Sequence, residues 1–316
     1  MKTASQVLEA FDAIRRGQRA SIYSPHKPML ILLALARVQR GDSRLVAFAD
    51  VEQPLKQLLA EFGPSSAAKS RHYPFWHLAT DGNGALWDLN GPRQILERSA
   101  GATPSLGELR QHHVKAGFPV EIDEALRHIP GLLEAVASRI LSAYFPETLH
   151  ADIVAALGLN LDGIRELRDG AAAADDYVAA TRRKRDPGFR DRVLRAYEFR
   201  CCVCGFDLRI GHTPAGLEAA HIKWHHVGGP DIEPNGLSLC ALHHKLFDLG
   251  AFTVEPYERR VVFSQLAMSG ARGTAGELQF HGRTIHSPQH AGLLPASEFL
   301  AWNSQNVFKT PARPIN

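Results

Sequence analysis

Four cysteines fall within 40 positions of this 316-residue chain, and three of them stand at the spacing of zinc knuckles. Cys201 and Cys204 form a Cys-x2-Cys pair, and Cys240 forms a Cys-x2-His pair with His243. Two such pairs complete the four-ligand set of a structural zinc site. Buried free thiols are the alternative, but two facing pairs favour zinc. Cys202 is expected to pack inward or to be exposed rather than to bind the ion.

A second set of polar residues is interleaved with these pairs and is suited to cutting a phosphodiester. A predicted strand, 217–222, carries His221, a Gly/Pro-rich loop leads to Asn235, and a predicted helix carries His244. The pattern AAHI…NGLSLC…HHKLFD resembles the HNH, or ββα-metal, nuclease motif, with these three residues as its signature.

The resemblance implies a role for each residue. His221 is the general base, because a neutral imidazole with a pKa of about 6.5 can take a proton from water near neutral pH. Asn235 orients that base or braces the loop through side-chain hydrogen bonds. His244 binds a catalytic divalent ion, Mg²⁺ or Mn²⁺, which offsets charge on the phosphorane and the leaving oxygen.

One position departs from the pattern. Many HNH nucleases carry an Asp or His directly before the general base as a further metal ligand, and this chain has Ala220. Strand alternation places Glu218 on the same face as Ala220. Either Glu218 supplies the missing oxygen, or water and phosphate do, and the sequence leaves both open.

Length and composition limit the class of protein. A chain of this length suggests two domains, and a net charge of +3 with 16 histidines is compatible with nucleic-acid binding. The N-terminus shows no secretory signal, and the longest apolar run, 29–36, is too short to span a bilayer. Cysteines at metal-like spacing fit a reducing compartment. We therefore expect a soluble cytoplasmic protein with no membrane partner.

The organisation along the chain predicts an α+β protein of two domains. A mixed helical and small-sheet DNA-binding domain is expected at 1–161, a linker at 162–188, and a ββα-metal domain with its zinc knot at 189–316.

The linker ends in a basic tetrad, 182–185, which is either a solvated segment or an arm that contacts phosphates. Periodicity and turn signals predict further elements: helices at 7–15, 28–37, 54–62, 122–145 (broken near Pro130) and 189–197, strands at 74–78, 85–89, 252–254 and 260–263, and a weakly structured tail.

Two clusters stand out in the first half. His26 and Lys27 precede an apolar helix, and helix N-termini attract anions. The second cluster, 70–77, mixes aromatic and basic residues around a proline, and its members of interest are Arg71, His72, Tyr73, Pro74 and His77.

With both clusters upstream of an HNH motif, the chain resembles the phosphorothioation-dependent, McrA-like type IV restriction endonucleases. The resemblance rests on the PHKP…YPFW pairing and the His-Asn-His set. It implies that the substrate is double-stranded DNA in which sulfur replaces one non-bridging phosphate oxygen.

The resemblance further implies that Tyr73 and Pro74 line a shallow hydrophobic cavity for the sulfur. His77 would lie near the edge of that cavity, at a position where a smaller residue is expected. His26 and Lys27 would contact the modified linkage or adjacent phosphates, and Arg71, His72 and Arg98 would contact phosphate or base.

Two other interpretations remain open at this point. An HNH enzyme that reads methylated or hydroxymethylated cytosine by base flipping would also need aromatics such as Tyr73. A zinc-stabilised DNA-binding protein without activity would explain Ala220. Because a single HNH site cuts one strand, a homodimer is a plausible assembly, although the sequence shows no interface pattern.

Overall fold

The computed structural model describes residues 2–14, 23–84, 86–97, 102–162, 186–268 and 276–315. The chain divides into two compact units: an N-terminal unit, Met1–Ala20 with Ser24–Arg182, and a C-terminal unit, Ser21–Tyr23 with Arg183–Asn316. Arg98 and the basic tetrad lie outside the described residues, as does most of the predicted linker. The ends of that linker stay a prediction.

The N-terminal unit is mainly helical and is built on one apolar helix. Its helices are α1 (Ala4–Asp12), α2 (His26–Gln39), α3 (Phe48–Phe62), α4 (His72–His77), α5 (Arg93–Leu96), α6 (Leu106–Gln111), α7 (Val120–His128), α8 (Leu132–Tyr144) and α9 (His150–Leu157). Every residue of α2 from Pro28 to Ala36 is buried. A helix without a polar face is stable only when other elements cover it, and α3, α4, α7, α8 and α9 contact α2.

Local signals explain where several helices begin and end. Thr3 and Gln6 form a capping box at the start of α1. The predicted break near Pro130 is confirmed: α7 ends at His128, and α8 follows Gly131, whose φ is 74°. Ile129 is extended because the residue before a proline avoids the helical region.

The third helix starts six residues before the predicted start at Pro54. It begins at Phe48 and includes Pro54. A proline inside a helix removes one backbone hydrogen bond, but the buried stripe of α3 runs across it through Phe48, Val51 and Leu55. Burial of that stripe outweighs the local preference.

A small antiparallel sheet completes the N-terminal unit. It contains β1 (Val46–Ala47), β2 (Asp88–Asn90) and β3 (Lys115–Gly117) in the order β1-β3-β2. Ala116 of the central strand pairs with Val46 on one side and Leu89 on the other. The mixed helical and small-sheet architecture predicted from the sequence is confirmed.

The strand predicted at 74–78 is wrong. Residues His72–His77 form α4, and Leu78–Gly84 continue as a 3₁₀ helix. Pro74 lies in the first turn of α4, where its missing N–H has no intrahelical partner to lose. Phe75 is fully buried with its ring centroid 5.1 Å from that of Phe48. A single helical turn with one buried side has the same pattern of apolar residues as a half-buried strand, which explains why the sequence predicted a strand here.

The C-terminal unit centres on a two-stranded ribbon between two helices. Its elements are α10 (Phe189–Ala196), β4 (Arg209–Ile210), β5 (Thr213–Pro214), β6 (Leu217–His221), β7 (Gly236–Cys240), α11 (Ala241–Asp248), β8 (Phe252–Val254), β9 (Val261–Phe263) and α12 (Ser297–Asn306). Strand β6 pairs antiparallel with β7, so that His221 lies opposite Gly236 and Leu217 opposite Cys240. Both α10 and α11 contact this ribbon. The strand predicted to carry His221 and the helix predicted to carry His244 are confirmed, as is the α+β class.

Gly236 lets α10 approach the ribbon closely. A Cβ at this position would lie 2.5 Å from Val193 Cγ2 and 3.2 Å from Phe189 Cζ. Since real Cβ atoms do not approach that closely, any larger residue would push α10 away from the end of β6. This packing sets the surroundings of His221.

The tail is more ordered than the sequence suggested. Helix α12 buries Leu300, Trp302 and Asn303, and Asn303 accepts a hydrogen bond from Thr253 of β8 at 2.8 Å. The expectation of a weakly structured tail is wrong for this segment, because long-range burial rather than a strong amphipathic pattern stabilises it. No helix in the described ranges is both long and apolar enough to cross a membrane.

Candidate active site and metal centre

The predicted zinc ligands converge in the C-terminal unit. One ligand atom from each of Cys201, Cys204, Cys240 and His243 lies within 4.8 Å of all the others. His243 Nδ1 is 3.1 Å from Cys240 Sγ and 3.6 Å from Cys201 Sγ. A tetrahedral zinc with bonds of about 2.0–2.3 Å needs ligand atoms roughly 3.5–4 Å apart. The Cys3His group therefore suggests a structural zinc.

The protonation of the thiols agrees with that interpretation. A hydrogen bond from Cys240 lowers the pKa of Cys201, and the same contact helps to raise the pKa of Cys240 to about 12. Crowded thiols cannot all ionise without a cation, whereas zinc binds them as thiolates. Cys202 packs inward with no exposed surface, and burial raises the pKa of its thiol well above the usual value.

An acidic side chain backs the histidine of this group. His243 Nε2 lies 2.7 Å from Glu277 Oε2, but the contact lacks hydrogen-bond geometry, and both atoms are buried. A carboxylate that accepts from the second nitrogen would fix the tautomer and orientation of a metal-binding histidine. No spacing signal points to Glu277, which is 34 positions beyond His243.

His221 stands at the end of β6 in a well-defined setting. Its imidazole stacks on the Phe189 ring, with centroids 4.1 Å apart and planes inclined by 19°. Its Nε2 lies 2.7 Å from Asp231 Oδ1. His225 Nε2 lies 3.6 Å from the second oxygen of the same carboxylate. The loop between the ribbon strands thus places a carboxylate beside the predicted general base.

The charge of Asp231 is stabilised where it lies. Burial alone would raise its pKa, but hydrogen bonds from the Asp186 N–H and from His221 lower that pKa below its usual value. At neutral pH this group is therefore a carboxylate, which accepts hydrogen bonds and favours a proton on His221 Nε2.

Asn235 braces the loop between the ribbon strands through three hydrogen bonds. It is fully buried, and its Oδ1 accepts from the Lys223 N–H at 2.8 Å. Its Nδ2 donates to the carbonyls of Lys223 at 3.0 Å and Pro230 at 2.9 Å. Of the two roles considered for Asn235, these contacts favour the bracing one.

His244 lies between two carboxylates. Its Nδ1 is 2.6 Å from Glu218 Oε2, and its Nε2 is 3.3 Å from Asp248 Oδ2. The Trp224 indole donates to Asp248 Oδ1 at 2.8 Å. Burial opposes the charged imidazole, but the contacts with Asp248 and Glu218 raise the pKa of His244 to about 9.

The two carboxylates differ in access. The Asp248 side chain is 2% exposed, whereas that of Glu218 is 45% exposed. Asp248 is thus a fixed partner inside the fold, and Glu218 faces solvent. His244 and Asp248 are four residues apart in α11, so the sequence could have revealed the contact between them. No such spacing signal points to the contact between Asp231 and His221, because the position of Asp231 depends on how the loop folds.

The predicted recognition residues in the N-terminal unit fall into two groups. His26 and Lys27 lie in the first turn of α2 and bind inward: His26 Nε2 is 2.9 Å from the Ala67 carbonyl oxygen. Lys27 donates to both oxygens of Asp81 at 2.8 and 2.7 Å. The Lys27 side chain keeps 23% of its surface exposed, while Asp81 is buried.

The second group lies on and beside α4. The rings of His72, Tyr73 and His77 adjoin one another, with centroids 4.5 Å apart for the first pair and 5.8 Å for the second. Tyr73 is 47% exposed, whereas the next residue, Pro74, is buried. His77 Nε2 lies 2.8 Å from Thr103 Oγ1.

Arg71 is held by the fold. It donates to Glu52 Oε1 and to the Ala68 carbonyl at 3.0 Å, and Arg110 donates to the same Glu52 carboxylate. Side-chain hydrogen bonds from Arg110 are the main reason that the pKa of Glu52 is lowered.

Comparison with known proteins matches both units to described domains. Residues 4–162 match the ScoMcrA-like DNA sulfur-binding domain, and residues 201–255 match the HNH endonuclease domain. The first match spans half of the chain, and the chain belongs to the ScoMcrA-like DNA sulfur-binding family. The resemblance inferred from the sequence is confirmed, and the HNH domain suggests nuclease activity.

Similar solved structures overlap this chain only in part. The sulfur-binding domain of ScoMcrA complexed with phosphorothioated DNA is 22% identical, with a TM-score of 0.41, and the alignment covers 53% of this chain and 98% of that one. The type IV phosphorothioation-dependent restriction endonuclease ScoMcrA is 22% identical, with a TM-score of 0.39, and the alignment covers 64% of this chain and 34% of that one. For the modification-dependent restriction endonuclease TagI the identity is 25%, the TM-score 0.28 and the coverage 38% and 37%. The chain thus spans about a third of the length of each endonuclease. No curated protein matches it.

Proposed function

We propose that this chain is a modification-dependent restriction endonuclease. The N-terminal unit binds double-stranded DNA that carries a phosphorothioate, and the C-terminal unit hydrolyses a phosphodiester bond near the modification. The observation that carries the proposal is the presence, in one chain, of a DNA sulfur-binding domain and an HNH domain whose His221 is paired with Asp231. A binding protein without activity has no need for an ordered His–carboxylate pair at that position.

His221 is the general base in this proposal. It takes a proton from the attacking water, and stacking on Phe189 limits its ring to one orientation. Asn235 keeps the loop in place by binding Lys223 and Pro230, so the base and its carboxylate stay in register.

His244 and Glu218 are the protein ligands that suit a catalytic divalent ion, Mg²⁺ or Mn²⁺. His244 Nδ1 and the half-exposed Glu218 carboxylate already meet, and Asp248 holds the opposite ring nitrogen. Glu218 would thereby replace the ligand that Ala220 lacks. The bound ion would supply positive charge for the phosphorane and the leaving oxygen.

Zinc in the Cys3His group has a structural role in this proposal. The group ties the start of α11 to the turn after α10, and so it holds His244 near the ribbon. All four ligands come from protein side chains, which is typical of structural rather than catalytic zinc.

The surface of α4 is the proposed recognition site. Tyr73 offers an exposed ring, which His72 and His77 adjoin, and Pro74 is buried in the same helix. Sulfur is a weaker hydrogen-bond acceptor than oxygen, so contact with apolar atoms costs it less lost hydration. Lys27, His26 and Arg71 keep their proposed phosphate-contacting role. Each is bound to a partner within the unit, Asp81, Ala67 and Glu52 respectively, and would have to keep or exchange that contact on binding DNA. Arg98 keeps its proposed phosphate-contacting role from sequence alone.

One experiment tests this function. Duplexes with a single phosphorothioate of each stereochemistry, with 5-methylcytosine, or without modification are compared for binding in EDTA and for cleavage in Mn²⁺ or Mg²⁺. Wild type, His221→Ala and His244→Ala are measured beside His212→Ala, which removes an exposed histidine from the β4–β5 turn.

The proposal predicts preferred binding to one sulfur stereoisomer and ion-dependent cleavage that His221→Ala and His244→Ala abolish without loss of binding. Equal affinity for sulfurated and plain DNA would remove the proposed specificity. Preference for methylcytosine would support a base-reading nuclease, and binding without cleavage would support a non-catalytic protein. Light scattering on the DNA complex reports whether a homodimer forms.

A further inference from the structure

The loop between β6 and β7 places one carboxylate against the imidazole of His221. Asp231 Oδ1 lies 2.7 Å from His221 Nε2, and each side chain is 13% exposed. A contact this short and this shielded from water fixes the orientation of the ring and the position of its proton.

Asp231 is itself held from several directions. Its Oδ2 accepts a hydrogen bond from the Asp186 N–H at 2.8 Å. Its carbonyl oxygen accepts from Arg192 Nη2 at 2.8 Å, and the preceding Pro230 carbonyl accepts from Asn235 Nδ2 at 2.9 Å. The backbone at Asp231 is therefore tied to α10 and to Asn235, and its carboxylate cannot turn away from His221 without breaking the bond from the Asp186 N–H.

We propose that Asp231 is the positioning residue of the general base. By accepting the Nε2–H of His221, it keeps the neutral imidazole in the tautomer whose lone pair is on Nδ1. That nitrogen is then the atom that takes the proton from water. The inference rests on the proposed nuclease function and deepens it, because it also explains how buried Asn235 serves the chemistry: it fixes the loop at Pro230, next to Asp231.

The charges around His221 agree with this assignment. Asp231 is the carboxylate in direct contact, and His225 approaches the same carboxylate at 3.6 Å. Asp186 and Glu233 are both paired with Arg192, at 2.8 and 2.9 Å, so their charges are offset. The Asp231 carboxylate in contact with the imidazole favours the protonated form of the ring, which makes it a stronger base.

A role for Asp231 as a metal ligand is less well supported. Among the described residues, Asp231 belongs to no group of three or more His, Cys, Asp or Glu side chains whose ligand atoms converge. Asp231 uses one oxygen for His221 and the other for a backbone N–H. Each oxygen keeps a second lone pair, so the Mn²⁺ requirement of a variant decides between the two roles.

The test compares Asp231→Asn with Glu233→Gln in the full-length protein. Asn keeps the shape of the side chain and an oxygen for the Asp186 N–H, but it removes the charge. Glu233 lies two residues later in the same loop, and its contact is with Arg192 rather than with His221. Two quantities are measured: the pKa and tautomer of His221 from ¹⁵N-labelled histidine NMR, assigned with His221→Gln, and the pH dependence of DNA cleavage.

Asp231→Asn is expected to lower the pKa of His221 by about one unit and to shift the acid limb of the cleavage profile to lower pH by the same amount, since the imidazolium loses its carboxylate. The maximal rate should fall at least about tenfold, as for other partners that orient a catalytic or metal-bound histidine. Glu233→Gln should move neither the pKa nor the acid limb.

Three outcomes overturn the inference. One is a lower rate with the His221 pKa and the acid limb unchanged, which would show a merely structural role. Another is a higher Mn²⁺ requirement with an unchanged limb, which would make Asp231 a metal ligand. The third is a neutral His221 with its proton on Nδ1 in the wild type. If the wild type cleaves no DNA, the proposed function fails, but the NMR measurement still decides whether Asp231 controls the imidazole.

Discussion

Glu218 Oε2 lies 2.6 Å from His244 Nδ1, so a carboxylate on β6 meets an imidazole on α11 across the ribbon–helix packing. Strand alternation predicted that Glu218 shares a face with Ala220, the position where many HNH nucleases carry a metal ligand. The contact shows that a residue three positions before His221 can reach the helix. Because Asp248 contacts the other ring nitrogen, Nδ1 is the atom that would share the proposed ion with Glu218.

Glu218→Gln should therefore weaken binding of the catalytic ion. An amide oxygen is a poorer ligand for Mn²⁺ than a carboxylate, and we expect the Mn²⁺ concentration for half-maximal cleavage to rise about tenfold or more. Electron paramagnetic resonance titration of free Mn²⁺ measures the same change without activity. Glu298→Gln, an exposed carboxylate on α12, is the matched control and should leave the Mn²⁺ affinity unchanged.

Cys201 and Cys202 are adjacent, and neither has exposed surface, yet only Cys201 belongs to the Cys3His group. Cys201→Ser should lose zinc and destabilise the C-terminal unit, because the binding energy of structural zinc is folding energy. Cys202→Ala should keep one zinc per chain and lose only a small buried contact. Zinc content by mass spectrometry of metals separates the two; equal zinc loss in both variants would contradict the ligand assignment.

Glu277 should influence zinc affinity without touching the ion. Its carboxylate lies 2.7 Å from His243 Nε2, without hydrogen-bond geometry. If zinc draws the pair into a hydrogen bond, loss of this outer partner should weaken metal binding by about 10- to 100-fold. Glu277→Gln is expected to release zinc at lower chelator concentrations than wild type in a competition titration. An unchanged competition curve would show that the His243 ring is oriented by its packing between Phe252 and Phe280 instead.

Glu52 should make the N-terminal unit sensitive to acid. Hydrogen bonds from Arg110 and Arg71 lower its pKa, against the effect of burial. A folded-state pKa below the unfolded value, about 4.3, means that the carboxylate stabilises the fold fully above that value and loses its contribution as pH falls through the folded pKa.

Glu52→Gln should reduce the free energy of unfolding by about 1–3 kcal/mol at pH 7, because Arg71 is largely buried and loses its charged partner. The difference from wild type should shrink as pH falls below about 4, because the carboxylate of the unfolded chain takes up a proton before that of the folded chain does. Urea unfolding followed by circular dichroism, from neutral pH down into this acid range, measures it. Glu61→Gln, exposed on the same helix, should show no such convergence.

The sequence predicted the Cys3His group better than the contacts that support the site. Spacing alone identified that group, since two ligands separated by two residues on a turn can face one ion. Strand β6 and helix α11 were also predicted, but β7 was not. Asp231 was missed because it comes from a loop, and Glu277 because it comes from a short 3₁₀ helix, and the positions of both depend on packing rather than on periodicity.

The errors in the N-terminal unit have a related cause. The short run around Phe75 has apolar residues on one side only, and a single helical turn gives the same signal as a half-buried strand. Contacts of Phe75 with Phe48 and Trp87, both distant in sequence, decide in favour of the helix. A proline within the run did not settle the matter, because it is tolerated in a first helical turn.

Tyr73 is the residue of the proposed recognition surface that is easiest to test. It is 47% exposed, and its ring lies against those of His72 and His77. If an apolar contact with sulfur contributes about 1–3 kcal/mol, the magnitude for an unsatisfied buried polar group, discrimination between sulfurated and plain DNA is roughly 5- to 150-fold. Tyr73→Ala should reduce that ratio towards one while lowering affinity for plain DNA much less.

Val120→Ala is the control, because it truncates an apolar side chain of equal exposure in the same unit, and it should leave the ratio unchanged. Equal weakening of both duplexes by Tyr73→Ala, measured by fluorescence anisotropy at one fixed salt concentration, would place Tyr73 on the DNA but not on the sulfur, since contacts to an unmodified backbone contribute to both complexes alike.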